Sequence, residues 1–332
     1  MILVCLCLFV PPALCRPCGT VSVGGTRCVS HLRGGNGEER RARSCFAQDD
    51  RATDEGRGPL LLTNRWIVIM SSAVSPCVLV TGATSGIGRT VAHRFSGHGW
   101  RIGLLDRDES AVHELASHLP GSTVFARGLN PADESAVQSV MAEFGEVMDG
   151  RLDVLVNATG VMRSGRFEQL DLSAHREQID GNLWAMLAVT HAAFPYLRET
   201  ERARVISIAS ASSMYGTPDL ATYSSAKAGV RSLTQALNLE WAHYDIHVCD
   251  VIPPYVDAPA EDAPGDEPRS VAPRRRLAPN LTAEDVADVV EDAVTEDRIH
   301  WPVGKQFRWI YRLSDVLPAS LVRLLMRYVS GF

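Results

Sequence analysis

Tyr223-Ser-Ser-Ala-Lys227 sets a phenol and an ammonium four residues apart. On a helix, positions i and i+4 share one face. Of the 33 lysine and arginine side chains, only Lys227 and Lys305 are lysines. Where almost every cation is written as arginine, a lysine at this spacing points to a position that needs a compact ammonium rather than a planar guanidinium. The nearby positive charge favours phenolate over phenol, so the pair predicts a tyrosine pKa below its ordinary value of about 10. Such a tyrosine can take a proton from an alcohol or return one to a ketone near neutral pH. The competing reading is a single lysine left on a solvated helix face.

A second constellation lies upstream. Thr81-Gly82-Ala83-Thr84-Ser85-Gly86-Ile87-Gly88 follows the apolar run Cys77–Thr81 and precedes a helical pattern. Gly82 permits the turn, Gly86 lets backbone approach a pyrophosphate, and Gly88 lets helix and strand pack closely. The helix start at Thr84–Gly88 then offers N–H groups to the anion. Asp106 ends the next apolar run, twenty positions past Gly86, where a carboxylate accepts hydrogen bonds from ribose hydroxyls and repels a 2′-phosphate. The expected cofactor is therefore NAD(H), with NADP(H) as the alternative because Arg107 follows directly. For Asp106 the competing reading is a solvated turn residue.

Taken together and in this order, the glycine turn, Asn157-Ala158-Thr159-Gly160, Ser210 and Tyr223-x-x-x-Lys227 resemble the short-chain dehydrogenase/reductase superfamily. The glycine spacing is similar to its single-domain branch, and the resemblance runs from about residue 76 to 304. It implies a Rossmann-type fold and a tyrosine acting as general acid or base, its phenolate further favoured by the positive ring of oxidised nicotinamide. It also implies that Ser210 hydrogen-bonds the substrate oxygen; Ser207, Ser212 and Ser213 are alternatives. By the same resemblance Asn182 holds a water that links Lys227 to solvent, and Asn130, Asn157, Ala158, Gly160, Pro253 and Val256 line the cofactor. Two departures stand out: Pro254 and Ala258 replace the glycine and threonine usual beside the nicotinamide, which removes a hydroxyl contact. Val161, Met162, Ser212, Met214, Tyr215 and Tyr255 are expected at the substrate. Their apolar and aromatic character favours a hydrophobic secondary alcohol or ketone. Ordinary packing is the competing reading for these residues.

Stepping along the chain, short apolar runs alternate with helical patterns: Cys77–Thr81, Arg101–Asp106, Thr123–Ala126, Leu152–Val156, Arg204–Ala209 and Ile246–Ile252 as strands. The helices fall between them, including a long one at Ser173–Leu197 and another at Thr222–His243. This alternation predicts an α/β fold, a doubly wound parallel sheet of about seven strands with helices on both faces. Thr282-Ala-Glu-Asp285 predicts a capped helix start, and residues 257–280 a loop over the site.

The ends differ in composition. Six of the eight cysteines fall in residues 1–69, which show no hydrophobic periodicity between residues 16 and 58. We expect this segment either to be disordered or to be translation from upstream of a start at Met70, leaving 70–304 as the dehydrogenase domain. A signal peptide fits poorly because Met1–Leu14 lacks a basic start. Cys15-Arg16-Pro17-Cys18 has no second pair to complete a zinc site, so no metal is expected. In 305–332, Leu317–Tyr328 is amphipathic, with Arg323 and Arg327 opposite Leu321, Leu324, Leu325 and Tyr328. It is expected to pack on the domain or on a partner subunit, or to lie on a membrane surface. A net charge of −6 argues against a nucleic-acid surface, and no run approaches the length of a membrane span. The reading is a cytoplasmic homodimer or homotetramer that interconverts alcohol and ketone. A cofactor-sensing regulator and an epimerase or dehydratase on the same fold are the alternatives.

Overall fold

The computed structural model describes residues 75–120, 124–256, 281–314 and 316–330. Residues 1–69 and the 257–280 loop lie outside them. Seven parallel strands form one sheet: β1 (Cys77–Thr81), β2 (Arg101–Asp106), β3 (Val124–Gly128), β4 (Val154–Asn157), β5 (Arg204–Ile208), β6 (His247–Ile252) and β7 (His300–Pro302). Their order is β3-β2-β1-β4-β5-β6-β7. The chain thus winds outward from β1 in one direction and from β4 in the other, and the β1–β4 boundary is the switch point where such sheets open a crevice.

The strands are apolar on both faces because both are covered. Val78 and Val80 point to one side, against Val91 and Phe95 of α1 (Gly86–Gly97) and Val286 and Val290 of α7 (Ala283–Thr295). Cys77 and Leu79 point to the other, against Phe144 of α3 (Glu134–Val147) and Val189 of α5 (Ala185–Arg198). The side-chain period of two sorts neighbours into two cores. Arg94 of α1 reaches Asp288 and Glu291 of α7, tying the first helix to a late one. Between β2 and β3 lies α2 (Glu109–His118). At α7 the reciprocal cap is present: Thr282 Oγ1 accepts from Asp285 N, and the Asp285 carboxylate accepts from Thr282 N.

Two departures from the expected elements bear on the site. The long helix is not continuous. It runs as α4 (Leu172–Ile179), a π-helical turn at Asp180–Trp184, and α5. The wide turn inserts a residue into the helical ladder at Gly181-Asn182, a feature that tends to mark functional sites. The last strand, β7, is three residues long, too short for its pattern to stand out, and it pairs with β6 through Asp250↔His300. After it come α8 (Lys305–Ser314) and α9 (Ala319–Ser330).

Candidate active site

The turn after β1 is built for close approach. Gly82 has φ +64°, and a Cβ there would sit 2.7 Å from Thr159 N and 2.8 Å from the Ala158 carbonyl. A Cβ on Gly88 would overlap the Gly82 carbonyl oxygen. Both positions need glycine, for conformation in one case and contact in the other. Ser85 caps α1: its hydroxyl accepts from Gly88 N at 3.1 Å and donates to Gly82 O at 2.7 Å. The opening amides of a helix have no partner within it, so Gly86 and Ile87 present their N–H groups where Ser85 leaves the turn exposed. This cradle fits a pyrophosphate.

Asp106 is turned toward that cradle. Its carboxylate accepts from Thr84 N (2.9 Å), Thr84 Oγ1 (2.7 Å) and Arg107 N (2.7 Å). It therefore shapes the turn, and the remaining lone pairs are what it has for a ribose. Arg107 is exposed beside it, and a narrow slot between Asp106, Leu129, Pro131 and Val189 continues from the turn. Asn130 is exposed at the end of β3 and its side chain accepts from Ala132 N at 3.2 Å, a local turn contact.

Across the switch point, β4 places Asn157 opposite Thr81 on one side and Ser207 on the other. Asn157 is buried, donating to Thr190 Oγ1 at 3.0 Å and Ser207 Oγ at 3.4 Å. It fastens β4 to β5 and α5, and so acts on the cofactor crevice through the backbone it positions. Thr159 Oγ1 donates to Thr81 Oγ1 at 2.8 Å, closing the same seam. Ala158 and Gly160 follow at its mouth.

The four acid–base candidates converge. Tyr223 and Lys227 sit on α6 (Ala221–Glu240), one turn apart, with the ammonium 5.8 Å from the phenol ring centroid. Ser210, two residues past β5, lies near enough to the Tyr223 phenol to favour its ionised form. Ser207 is bonded to Asn157 instead, Ser212 donates to Ser210 Oγ at 3.0 Å, and Ser213 donates to the Ser210 carbonyl at 2.6 Å. Of the serines, Ser210 is the one held against the phenol. Lys227 is buried and donates to Ile208 O at 2.9 Å. Asn182 is buried in the π turn, donating to Val161 O (2.7 Å) and Gln178 O (2.8 Å). Its Oδ1 is buried and has no hydrogen-bond partner. A Cβ on Gly160 would lie 3.2 Å from that oxygen and 3.6 Å from Lys227 Nζ. Gly160 thus leaves a gap shared by an open acceptor and an ammonium, which is suited to a polar bridging group.

Burial shapes the electrostatics of the chain's own groups. Burial pushes the Tyr223 phenol above its ordinary range, and the Ser210 hydrogen bond only partly opposes this. Burial also lowers Lys227, to about 8. The ammonium spends a hydrogen bond on a carbonyl and is partly desolvated, so the chain alone does not favour phenolate. Sequence spacing had no access to the desolvation that decides this sign.

Around these groups, Pro253 O accepts from Ala211 N at 2.9 Å, and Val256 bridges to Leu281 at the base of the 257–280 segment. Met214 packs beside Ala211 against the cluster of Met186, Val230, Ile252, Phe307 and Tyr311. Val161 is buried, Met162 is exposed, and Tyr215 and Tyr255 are half-buried. Three partners were not legible in the sequence: the carbonyls of Ile208 and Val161, and Thr190. Backbone acceptors carry no residue signature, and Thr190 meets Asn157 only through the packing of α5.

The chain matches the family model for short chain dehydrogenases over residues 76–267. It belongs to the short-chain dehydrogenase family. Sulfoacetaldehyde reductase 2 from Chromohalobacter salexigens is 35% identical over 222 residues, covering 65% of this chain and 87% of that protein. Oxidoreductase UcpA from Salmonella typhimurium is 31% identical over 233 residues, covering 66% and 88%. A solved short-chain dehydrogenase/reductase from Burkholderia xenovorans superposes with a TM-score of 0.61 at 21% identity, covering 70% of this chain and 96% of that one, a likeness of fold. The protein is therefore an oxidoreductase acting on CH–OH groups, in a family that uses nicotinamide cofactors. Among the described residues no helix is long and apolar enough to cross a membrane.

Proposed function

We propose that the protein interconverts a hydrophobic secondary alcohol and its ketone, with NAD(H) as the preferred cofactor. The observation that carries the reading is the Tyr223–Lys227 pair on one face of α6, the ammonium 5.8 Å from the phenol ring centroid and next to the gap at Gly160, with Ser210 acting on the same phenol. The cofactor, when bound, supplies or accepts the hydride. The Gly86 and Ile87 amides would hold its pyrophosphate beside Gly82, Asp106 would meet its adenosine ribose, and Lys227 its nicotinamide ribose. Tyr223 Oη gives a proton to the ketone oxygen, or takes one from the hydroxyl in the reverse direction. Ser210 Oγ donates to the same oxygen as charge develops on it. Asn182 Oδ1 accepts from a water in the gap beside Gly160, and that water connects Lys227 Nζ with solvent.

NADP(H) is the second reading, favoured by the exposed Arg107 next to Asp106. A ketone panel followed at the nicotinamide absorbance, with both cofactors in parallel, separates the two. Tyr223→Phe is expected to lower turnover by at least about a thousandfold, while reduced cofactor still binds in a fluorescence titration. Unchanged turnover in that variant would end the proposal.

A further inference from the structure

The two C-terminal helices carry an apolar surface that the described chain leaves uncovered. On α8, Phe307 and Tyr311 face the body and are buried against Met186, Val230 and Ile252. The opposite stripe holds Trp309, 71% exposed, and Leu313, 52% exposed, with Val316 just beyond at 76%. On α9, Leu321 and Leu324 are 49% and 62% exposed. Among the described residues, Leu321 and Leu324 of the amphipathic tail are thus left uncovered, while Leu317 is half-buried. The side chains of Leu325 and Tyr328 lie outside the described residues. Single exposed apolar residues are ordinary, but four large ones on one helix pair, with Val316 in the turn between, form a patch.

The charge around this patch has one sign. Residues 305–332 contain Lys305, Arg308, Arg312, Arg323 and Arg327 against Asp315 alone, in a chain whose net charge is −6. Arg308 and Arg312 stand one turn apart on the exposed side of α8, and the Arg312 guanidinium lies 5.7 Å from the Trp309 ring centroid. A second copy docking by the same face would set one arginine-rich surface on another. An anionic bilayer meets both requirements: the acyl boundary takes the leucines and the indole, and the headgroups take the guanidiniums. Neither helix crosses.

We propose that α8 and α9 form a peripheral docking surface for an anionic lipid bilayer. Trp309, Leu313, Leu321 and Leu324 enter the interface, and Arg308, Arg312 and Arg323 contact the headgroups. The same α8 packs against the cluster containing Ala211 and Met214, so the surface is mechanically joined to the loop after Ser210. The proposal does not depend on the substrate or the cofactor.

The test uses the full chain and sedimentation with vesicles of phosphatidylcholine, with and without phosphatidylglycerol. Binding to the anionic vesicles is expected, weakening as salt rises. Leu321→Glu with Leu324→Glu is expected to cut it by at least about tenfold. Arg308→Gln, Arg312→Gln and Arg323→Gln together should erase the preference for anionic over neutral vesicles. These side chains are exposed, so melting temperatures should hold and a fold defect is recognisable. No binding to anionic vesicles would overturn the proposal, as would binding that survives both sets of substitutions. Loss of a lipid-free dimer in the leucine variant, without any vesicle binding in the parent, would assign the face to a second copy instead.

Discussion

Lys227 is a buried charge that the fold carries at the expense of stability. Its pKa falls from 10.5 to about 8 because burial penalises the ammonium. At neutral pH the lysine is charged in both folded and unfolded chains, and folding bears a cost of roughly 3 kcal/mol for that charge. The folded pKa is depressed below the unfolded one, so the cost is full below about pH 8 and disappears as pH rises toward 10.5. Lys227→Met also gives up the bond to Ile208 O, worth about 1 kcal/mol. The variant is nevertheless expected to melt no lower than the parent at pH 7, to lose that advantage at alkaline pH, and to turn over at least about a hundredfold more slowly. Thermal melts at the two pH values check this; a variant much less stable at pH 7 contradicts it. Tyr223 yields a companion expectation. With the phenol raised by burial, alcohol oxidation should accelerate as pH rises into the alkaline range, while ketone reduction slows there. Initial rates in both directions across pH read this out, and an oxidation rate that peaks below neutrality is the contrary result.

At the scale of elements, the site depends on backbones that pass unusually close. The β1–α1 turn packs so tightly, on the β4 end at Gly82 and on itself at Gly88, that neither glycine has room for a methyl group. Gly88→Ala is expected to force α1 away from the turn, weakening cofactor binding by at least about tenfold and lowering stability by about 1–3 kcal/mol. Isothermal titration and thermal melting measure the two; native binding in the variant contradicts the assignment of this turn as the cradle. These glycines were legible because a tight turn between a strand and a helix permits few residues. The π turn was not. Gly181-Asn182 reads as ordinary helix, and the extra residue is accommodated because Val161 presses on Gly181 and its carbonyl binds Asn182. A π turn needs that contact from a distant segment, and local pattern does not contain it.

On the scale of the whole molecule, α8 is joined to the body through a few side chains at the β6–β7 edge. Phe307 and Tyr311 are buried there, and Arg231 of α6 donates to Tyr311 Oη at 2.7 Å. Phe307→Ala is expected to loosen α8 and α9 by about 3 kcal/mol while the sheet stays folded. Hydrogen exchange should therefore rise in 305–330 and remain unchanged in β1 and β4. Uniform acceleration across the chain would show instead that the C-terminal helices belong to the cooperative core. The short β7 beneath them escaped the sequence reading because three residues carry no usable period. Its pairing comes from β6, and His300 is further held by the buried Asp250 carboxylate at 3.0 Å.

Alternation of apolar runs with helical patterns was enough to dictate a covered parallel sheet, since strands hydrophobic on both faces have no other stable setting. Residue type and spacing were enough to bring Tyr223 and Lys227 to one helix face and to mark the glycine turn. Folding in three dimensions decided the rest. It opened the helix at Asn182, turned Asp106 toward Thr84, and set desolvation against both the phenolate and the ammonium. Each of these depends on desolvation or on a contact between distant segments, and neither quantity exists until the chain has packed.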